Sequence, residues 1–424
     1  MSGDVLSWII CQIGARERYA LARELHRRGQ LTALCTDIWV TPRSLAGRLA
    51  PIAGARGASF RERYDPVLAN AKVLSGSPFK AALKGRGASR RGEREYWQSI
   101  MDANCRFGAT MSRNLKRYGL LKAAGAHNRK PAVFAYSYAA REIFETAKKS
   151  GCLTVLGQID PGPVEDDIVA AVAAQHGFND DGRGRPPAEY WANWREECEI
   201  ADVIAVNSQW SADCLIQGGV NASKIRIVPL SYEAKSDLDG EQAQRSYPSS
   251  FSTDRPLQLL FLGQIGFRKG AFELLEAMER LQEAPVRLSM VGPAQIELRE
   301  RFGALSNVEW IGKVPYGNIS AHYRNADVFL LTTHSDGFAL TQLEAQAAGL
   351  PVFASTHCGS VVVDGSNGRL INEISSRSIE ELILWAIDSP KALQAMSGQA
   401  LKHARFFPVS RSVGALMEAV ARHS

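Results

Sequence analysis

Residues 327–352 read DVFLLTTHSDGFALTQLEAQAAGLPV, and this stretch decides the fold of the 424-residue chain. The short apolar run Asp327–Thr332 is typical of a strand buried on both faces of a parallel sheet. The polar residues after it predict a loop, and a helix is expected to begin near Gly337. Gly349 and Pro351 end that helix, because glycine just past a helix and proline soon after are common stop signals. A strand–loop–helix–strand unit of this kind indicates an α/β fold.

Short apolar runs alternate with amphipathic helices along both halves of the chain. The predicted strands of the first half are Asp4–Cys11, Leu31–Thr36, Ala132–Tyr136, Cys152–Gly157, Asp202–Asn207 and Lys224–Pro229. Those of the second half are Leu257–Leu262, Val286–Val291, Asn307–Ile311, Asp327–Thr332 and Pro351–Ala354. Between them, apolar spacings such as Ala271, Leu274, Leu275 and Met278 predict helices with one buried face. The alternation is typical of parallel sheets with right-handed crossovers.

A polar, turn-rich segment between the halves predicts a domain boundary. We predict an N-terminal domain over residues 1–235, a linker over 236–253 and a C-terminal domain over 254–409. Residues 410–424 are expected to form a helix that packs back near the linker, on the N-terminal domain. Since doubly wound sheets bind ligands at the carboxyl ends of their strands, two such domains would face each other across one cleft.

Composition excludes several classes of protein. With 45% hydrophobic and 22% charged residues, the chain is neither predominantly disordered nor collagen-like. Its net charge of +6 is mild, and no interleaved basic and aromatic pattern indicates a nucleic-acid partner. Seven cysteines without a Cys-x-x-Cys pair favour a reducing cytosol over a disulfide scaffold. Because no apolar run reaches about 18 residues, we expect no membrane span and a cytoplasmic location.

One segment concentrates positive charge. Within Phe79–Glu95, six basic residues stand against two acidic ones, and the helical pattern that follows as far as Lys122 adds more arginine and lysine. Charge runs of this kind usually form a solvated loop or helix face. The alternative is that residues 79–122 contact anionic lipid headgroups or a phosphorylated partner, which would make the protein a peripheral membrane protein. The sequence leaves both interpretations open.

A glycine-containing loop carries two adjacent cations. Residues 261–270 read FLGQIGFRKG and run from a strand end into an amphipathic helix. Basic residues at a helix start oppose the helix dipole, so Arg268 and Lys269 indicate a purpose other than stability. Lysine offers a compact charge and arginine a planar fork, and both suit phosphate.

Two carboxylates flank the helix start of the quoted stretch. Asp336 and Glu344 are eight residues apart, which on one helix places them roughly 80° apart in direction, toward one side of the cleft. The start of a helix presents unpaired N–H groups to an anion, and Gly337 would let a phosphate approach the backbone. The alternative is that Asp336 only caps the helix and Glu344 is a surface residue.

Taken in order, these motifs resemble the family 4 glycosyltransferases. The segments that carry the resemblance are Phe261–Gly270, Val291-Gly292-Pro293, Val308–Val314, Asn325–Phe329, and Asp336 with Glu344 as two acidic residues separated by seven. A looser match in the first half comes from Gly14–Arg18, Ala205–Ser208 and Ile227–Pro229. The resemblance implies the GT-B fold, in which two Rossmann-like doubly wound domains face each other across a cleft.

The resemblance also implies an activity. It implies a retaining glycosyltransferase that moves a sugar from a nucleotide-sugar donor, UDP- or GDP-linked, to a glycan, lipid-linked or small-molecule acceptor in glycoconjugate or polysaccharide biosynthesis. The N-terminal domain would hold the acceptor and the C-terminal domain the donor. No metal or other cofactor is implied. The histidines show no zinc-ligand spacing, and Asp166-Asp167 and Asp180-Asp181 are expected in loops.

Site roles follow from the resemblance, residue by residue. The implied donor-binding residues are Gly14, Gln264, Arg268, Lys269, Val314, Gly337, Phe338, Ala339, Leu340 and Glu344. Among them, Lys269 would hold the diphosphate, Glu344 the ribose and the backbone of Val314 the nucleobase. The backbone amides of Gly337 to Leu340 would hold phosphate and sugar hydroxyls. Asp336 would face the transferred sugar near its anomeric carbon.

Three departures from the family pattern keep alternatives open. Gln264 stands where the family usually has arginine, and Asp336 is one methylene shorter than the usual glutamate. Asp160, within the sequence QIDPG, stands where many members carry histidine, and it is either a second catalytic residue or a turn aspartate before proline. The competing hypotheses are a nucleotide-sugar-binding protein with weak or no transfer, and a same-fold sugar epimerase.

Overall fold

The computed structural model describes residues 6–49, 62–76, 93–125, 129–178, 184–233 and 245–422. In these residues the chain forms two parallel β-sheets, each covered by helices on both faces. The two Rossmann-like doubly wound domains predicted from the sequence are therefore present.

The N-terminal sheet contains seven of the described strands. They are β1 (Leu6–Gln12), β2 (Leu31–Ile38), β3 (Val73–Gly76), β4 (Lys130–Tyr136), β5 (Leu153–Gly157), β6 (Val203–Val206) and β7 (Ile225–Ile227). Their order across the sheet is β3-β2-β1-β4-β5-β6-β7. The strand order reverses between β1 and β4, so the loops after these two strands line the crevice in which such sheets bind ligands.

The C-terminal sheet contains six of the described strands. They are β8 (Leu257–Leu262), β9 (Val286–Val291), β10 (Val308–Gly312), β11 (Val328–Leu331), β12 (Val352–Ser355) and β13 (Gly368–Ile371). Their order is β10-β9-β8-β11-β12-β13, with the reversal between β8 and β11. The glycine-containing loop follows β8 and the Asp336 loop follows β11, so the switch point brings the two predicted motifs together.

Helices connect the strands and cover the sheets. In the described residues they are α1 (Ala20–Arg27), α2 (Leu45–Leu49), α3 (Glu93–Arg117), α4 (Leu120–Ala124), α5 (Arg141–Lys148), α6 (Pro163–Gln175), α7 (Ala188–Ile200), α8 (Gln209–Gln217), α9 (Ala271–Arg280), α10 (Ile296–Phe302), α11 (Ile319–Asn325), α12 (Thr341–Ala347), α13 (Ser376–Asp388), α14 (Pro390–Ala404) and α15 (Val409–Ala421). Every one of these helices is too short or too polar to span a bilayer. Short 3-10 turns include Arg16–Tyr19 and Phe267–Lys269.

Side-chain alternation along the central strand explains the layering. All seven residues of β1 are buried. Ile9 and Cys11 pack on the side of α3 and α5, whereas Trp8 and Ile10 pack on the side of α1 and α15. Because successive side chains of a strand point to opposite faces, one apolar run supplies both cores of the domain.

Three connections tie the two domains together. Helix α15 packs on the N-terminal domain through Val413 and Leu416. Tyr247 and Phe251, within the segment expected as a linker, pack against the core of the C-terminal domain. Helix α6 follows β5 of the N-terminal sheet, yet Val172 and Ala173 at its end join the C-terminal core. Val172 and Ala173 thus bury apolar surface between the two domains, while α15 and residues 245–253 connect them through the chain.

The strand predictions agree with the structure for the interior strands and for the edge strands β7 and β10, and they miss the edge strands β3 and β13. Leu257–Leu262 and Val286–Val291 are predicted to the residue. Strands β3 and β13 are absent from the prediction, because both are four-residue edge strands with short apolar runs: β3 ends in the exposed Ser75 and Gly76, and β13 begins with Gly368 and Arg369. The basic residues of 79–92 and the pair Asp180-Asp181 lie outside the described residues.

Candidate active site

A buried glycine joins the two loops of the C-terminal switch point. Gly270 has a φ of 62°, and a Cβ on it would lie 1.9 Å from the carbonyl oxygen of Thr332. The Thr332 hydroxyl donates to the carbonyl oxygen of Lys269 at 3.0 Å. Since only glycine permits this approach, the β8 loop and the β11 loop are held against each other.

The two cations predicted for the site meet the predicted carboxylate. Lys269 forms an ion pair with Asp336, and the Arg268 guanidinium lies 3.6 Å from the same carboxylate oxygen. The side chains of Lys269 and Asp336 are 12% and 16% exposed. Burial, followed by the neighbouring charge of Arg268, lowers the pKa of Lys269 to about 7. An anion that approaches this lysine favours its charged form and so raises its pKa.

The expectation that a helix begins near Gly337 is wrong. Helix α12 begins at Thr341, because one Asp336 oxygen accepts the backbone N–H groups of Phe338 (3.1 Å) and Ala339 (3.0 Å). Ala339 then adopts a left-handed φ of 60°, which interrupts a helical path. Asp336 and Glu344 therefore do not share one helix. The amides of Phe338 and Ala339, expected to hold phosphate, are bonded to Asp336 here.

Gly337 lies against the opposite domain. A Cβ on Gly337 would be 2.7 Å from both the carbonyl oxygen of Ile159 and the side-chain nitrogen of Asn207. The Ser211 hydroxyl donates to the carbonyl oxygen of Gly337 at 3.4 Å. Ile159 follows β5 and Asn207 follows β6, so the Asp336 loop closes on the carboxyl edge of the N-terminal sheet.

Asp160 reaches the same cleft from the N-terminal domain. One of its oxygens accepts from the Tyr138 hydroxyl at 2.5 Å, from the Gln158 amide at 3.1 Å and from the Gly162 N–H at 3.0 Å. Burial raises the pKa of Asp160, while the charges of Arg16 and Arg268 act in the opposite direction. Asp160 is thus fixed in position and faces cations from both domains.

The loop after β1 is a strained turn. Gly14 has a φ of 83° and donates its N–H to Asp37 at 2.9 Å. Glu17, Arg18 and Tyr19 follow with φ of 46°, 51° and 60°, each costing about 1–2 kcal/mol for a residue other than glycine. Strain of this kind persists where the surrounding structure imposes it, and it often marks functional loops.

Glu165 and Ser335 were not predicted as site residues. Glu165 lies in the first turn of α6, accepts from the Ser335 hydroxyl at 2.8 Å and lies 3.9 Å from Arg268. Burial raises the pKa of Glu165 to about 7, and the charge of Arg268 opposes that shift. Its partners belong to the other domain, so no local sequence pattern signals its role.

An aromatic contact closes the cleft beside these groups. The Trp210 indole N–H donates to the Ser335 hydroxyl at 3.0 Å. The same indole stacks on His357, with ring centroids 4.1 Å apart. His357 contacts the carbonyl oxygen of His334 at 3.1 Å. In the sequence, Trp210 is only the second residue of a helix capped by Ser208, and no local pattern marks it as a site residue.

The remaining predicted donor residues line the carboxyl edge of the C-terminal sheet. Glu344 lies in α12 and accepts from the Tyr323 hydroxyl at 3.0 Å. Val314 follows β10 and packs against the core around β11. Gln264 is partly buried in the loop after β8. The structure thus distributes these residues along the edge, whereas it gathers Arg268, Lys269 and Asp336 at one point.

The aspartate pair Asp166-Asp167 is helical rather than in a loop as expected. Both residues lie near the start of α6. Arg185 pairs with both carboxylates, at 2.8 Å from its Nε to Asp166. An arginine fork therefore occupies the oxygens that a metal would need.

This arrangement suits chemistry in which negative charge develops. Buried cations and fixed hydrogen-bond donors stabilise an anionic leaving group far better in a water-poor cleft than in water. Asp336 and Asp160, one from each domain, both interact with the charge of Arg268. The cleft therefore combines a cationic wall with two carboxylates.

Part of the chain matches a known protein family. Residues 244–403 match the family described as "Glycosyl transferases group 1". This segment contains the β8 loop, the Asp336 loop and α12, which are the elements that build the cationic part of the cleft.

Two curated relatives are similar to about half of the chain. The chain is 26% identical to an uncharacterized 41.2 kDa protein in the cps region of Klebsiella pneumoniae, covering 43% of this chain and 51% of that one. It is 29% identical to a D-inositol 3-phosphate glycosyltransferase of Segniliparus rotundus, covering 49% of each. The matched region thus spans about half the length of these relatives.

The solved structures extend the likeness to both domains. Anabaena HepE in complex with UDP superposes with a TM-score of 0.59 at 15% identity, covering 98% of this chain and 100% of that one. The sucrose-phosphate synthase of Thermosynechococcus elongatus gives a TM-score of 0.62 at 15% identity, covering 99% and 100%. The predicted GT-B architecture is confirmed, and residues 244–403 of the chain match the group 1 glycosyl transferase family.

Proposed function

We propose that the protein is a retaining glycosyltransferase that uses a nucleoside diphosphate sugar. The observation that carries the proposal is the convergence of Arg268 and Lys269 on Asp336, while the charge of the same Arg268 acts on Asp160 of the other domain. The group 1 glycosyl transferase domain over residues 244–403 supports the same conclusion.

In the proposed reaction, the bond between the anomeric carbon and the diphosphate breaks. Lys269 and Arg268 stabilise the charge that develops on the departing diphosphate. The acceptor hydroxyl attacks from the side that the diphosphate leaves, and its proton passes to the departing phosphate oxygen. No separate base is required, and the new glycosidic bond keeps the configuration of the old one.

Asp160 and Asp336 are proposed to flank the reacting sugar. Asp160 is held by three hydrogen bonds, so its carboxylate can stabilise an oxocarbenium-like centre without first reorganising. Asp336 is proposed to exchange its contact with Lys269 for a sugar hydroxyl when donor binds. Glu344 is proposed to bind the ribose, Val314 the nucleobase, and Gly14 and Gln264 the diphosphate.

UDP is the nucleotide that we propose first, with GDP as the alternative. The solved structure of HepE contains UDP, and its fold matches this chain over nearly its whole length. The acceptor is proposed to be a glycan, a lipid-linked sugar or a small molecule, in glycoconjugate or polysaccharide biosynthesis. A relative in a cps region and relatives that act on D-inositol 3-phosphate support this range.

We propose that the protein is cytoplasmic and that the basic surface of α3 contacts the membrane peripherally. Tyr118, just after the helix, is 47% exposed, and the Arg117 guanidinium lies 5.6 Å from the centroid of its ring. Basic residues near an exposed aromatic ring suit anionic headgroups. Co-sedimentation with anionic vesicles should weaken as salt rises, since screening shortens electrostatic reach. Equal recovery with and without vesicles would contradict this surface.

Donor hydrolysis tests the enzymatic proposal. Lys269→Ala and Glu344→Ala should each lower the rate at which UDP-glucose releases UDP, by roughly tenfold or more. Lys391→Ala, which changes an exposed lysine of α14, is the matched control and should retain full turnover. Unchanged turnover in both site variants would reject the assigned site.

Product analysis separates the alternatives. A binding protein with weak or no transfer, suggested by Gln264 and Asp336, would bind UDP in calorimetry yet release no sugar. An epimerase would change the sugar without an acceptor. A retaining transferase gives a glycoside of unchanged anomeric configuration once an acceptor is supplied.

A further inference from the structure

A carboxylate of the N-terminal domain lies against the cationic wall of the C-terminal domain. Glu165 accepts from the Ser335 hydroxyl at 2.8 Å, and its Oε2 lies 3.9 Å from the Arg268 guanidinium. Its side chain is only 17% exposed, and that of Arg268 is 29% exposed. The charges therefore interact in surroundings that screen them less than bulk water does.

The cluster around Glu165 is already rich in negative charge. The described ionised groups that act on Glu165 are Arg268, Asp160 and Lys269. Asp336 is paired with both cations of this set. Glu165, Asp160 and Asp336 thus share the charges of Arg268 and Lys269, and Asp160 also faces Arg16 of its own domain. A diphosphate that binds to the same two cations would add further negative charge to a site where carboxylates already neutralise them.

Glu165 is not needed to hold the domains together. Val172 and Ala173 of the same helix are buried in the C-terminal core. Glu273 spans the interface as well, since His176 of one domain and His334 of the other both contact its carboxylate, at 3.2 and 2.8 Å. Because these contacts hold the two domains together, domain association does not explain why a charged residue stands at position 165.

We propose that Glu165 takes the place of an anionic ligand against Arg268 and that it must leave this guanidinium when a diphosphate binds. The inference rests on the proposed function and concerns the same site. Glu165 weakens diphosphate binding because it competes for Arg268. The N-terminal domain, which carries Glu165, therefore partly sets the affinity of the C-terminal domain for the donor and for the released nucleotide.

Titration of UDP and of inorganic pyrophosphate into wild type and Glu165→Gln tests the proposal. Glutamine keeps the size of the side chain and can still accept from Ser335, while it removes the charge. We expect the dissociation constants for both anions to fall roughly tenfold, and the gain to shrink as salt rises. Uridine, which has no phosphate, should bind both proteins equally.

Glu273→Gln is the matched control. It neutralises another buried carboxylate of the interface, whose partners are histidines rather than Arg268 or Lys269. UDP affinity should not change in this variant. Should Glu165→Gln fail to fold, Glu165→Asp keeps a charge in the first turn of α6 but withdraws it from Arg268, and an intermediate tightening is expected.

The outcomes separate this inference from the proposed function. If wild type binds UDP and Glu165→Gln binds it no more tightly, the competition is overturned while the transferase proposal stands. Equal tightening by Glu273→Gln would also overturn it, because loosening of the interface would then explain the effect. If no protein binds either anion, both proposals fail. Binding by Glu165→Gln alone would support the competition most strongly.

Discussion

Replacing Gly337 by alanine should slow turnover because the side chain has no room between the domains. A Cβ at this position would lie 2.7 Å from the carbonyl oxygen of Ile159, whereas ordinary van der Waals contact begins at 3.4 Å. The domains must therefore separate by about 0.7 Å at the cleft. Overpacking of this kind costs about 1–3 kcal/mol, and displacements near 1 Å cost up to about a hundredfold in rate.

We therefore predict that Gly337→Ala lowers the turnover of UDP-glucose hydrolysis roughly 5- to 150-fold. UDP affinity should stay within about threefold, since alanine keeps the backbone N–H. Steady-state hydrolysis and calorimetric titration measure the two effects.

Gly398→Ala is the control for the alanine substitution. Gly398 lies inside α14 and has open space where a methyl group would stand, so this change should stabilise the fold by about 0.5–1 kcal/mol and leave turnover unchanged. Wild-type turnover by Gly337→Ala would refute the claim that the closed contact between Gly337 and the N-terminal domain is part of the working enzyme.

Three further predictions concern charge, stability and the carboxylate. Burial lowers the pKa of Lys269 to about 7, and a diphosphate binds the charged form of this lysine. UDP affinity should therefore fall above pH 7 by up to tenfold per pH unit, and binding should take up a proton. Calorimetry in two buffers of different ionisation enthalpy measures the proton uptake, and Lys269→Gln should lose the pH dependence. Arg245 donates to four backbone carbonyl oxygens, including that of Ala348 at 3.0 Å. Arg245→Ala should therefore lower the midpoint of thermal unfolding by roughly 5–10 °C. Arg377→Ala is the control, because the Arg377 side chain is 84% exposed, and it should shift the midpoint by about 1 °C or less. Tyr138→Phe removes the hydroxyl that donates to Asp160, so turnover should fall about tenfold while UDP affinity stays unchanged. Full turnover in this variant would show that the Tyr138–Asp160 hydrogen bond does not contribute to catalysis.

The sequence predicts the sheets well because their central strands are continuous apolar runs. Leu257–Leu262 is buried between two neighbouring strands and between two layers of helix, so hydrophobicity alone marks its ends. Gly368–Ile371 lies at an edge, with two of its four side chains half-buried, and no comparable run marks it. Edge position alone does not hide a strand, because β7 and β10 also lie at sheet edges and are predicted; β13 is missed because two of its four residues are glycine and arginine.

The candidate site divides in the same way. Lys269 and Asp336 could be found because each lies in a motif of its own, at the end of a strand. Glu165 and Trp210 could not, because what they contact is decided by how α6 and α8 meet the other domain. The helix start was placed too early because the Asp336 side chain competes for N–H groups that a sequence pattern assigns to the helix.

A structure of the protein with UDP bound is the decisive test of the proposed diphosphate site. We expect a phosphate oxygen within hydrogen-bonding distance of the Lys269 ammonium, with Asp336 released from that lysine and the uracil beside the backbone of Val314. A diphosphate bound elsewhere, with Lys269 still paired to Asp336, would contradict it.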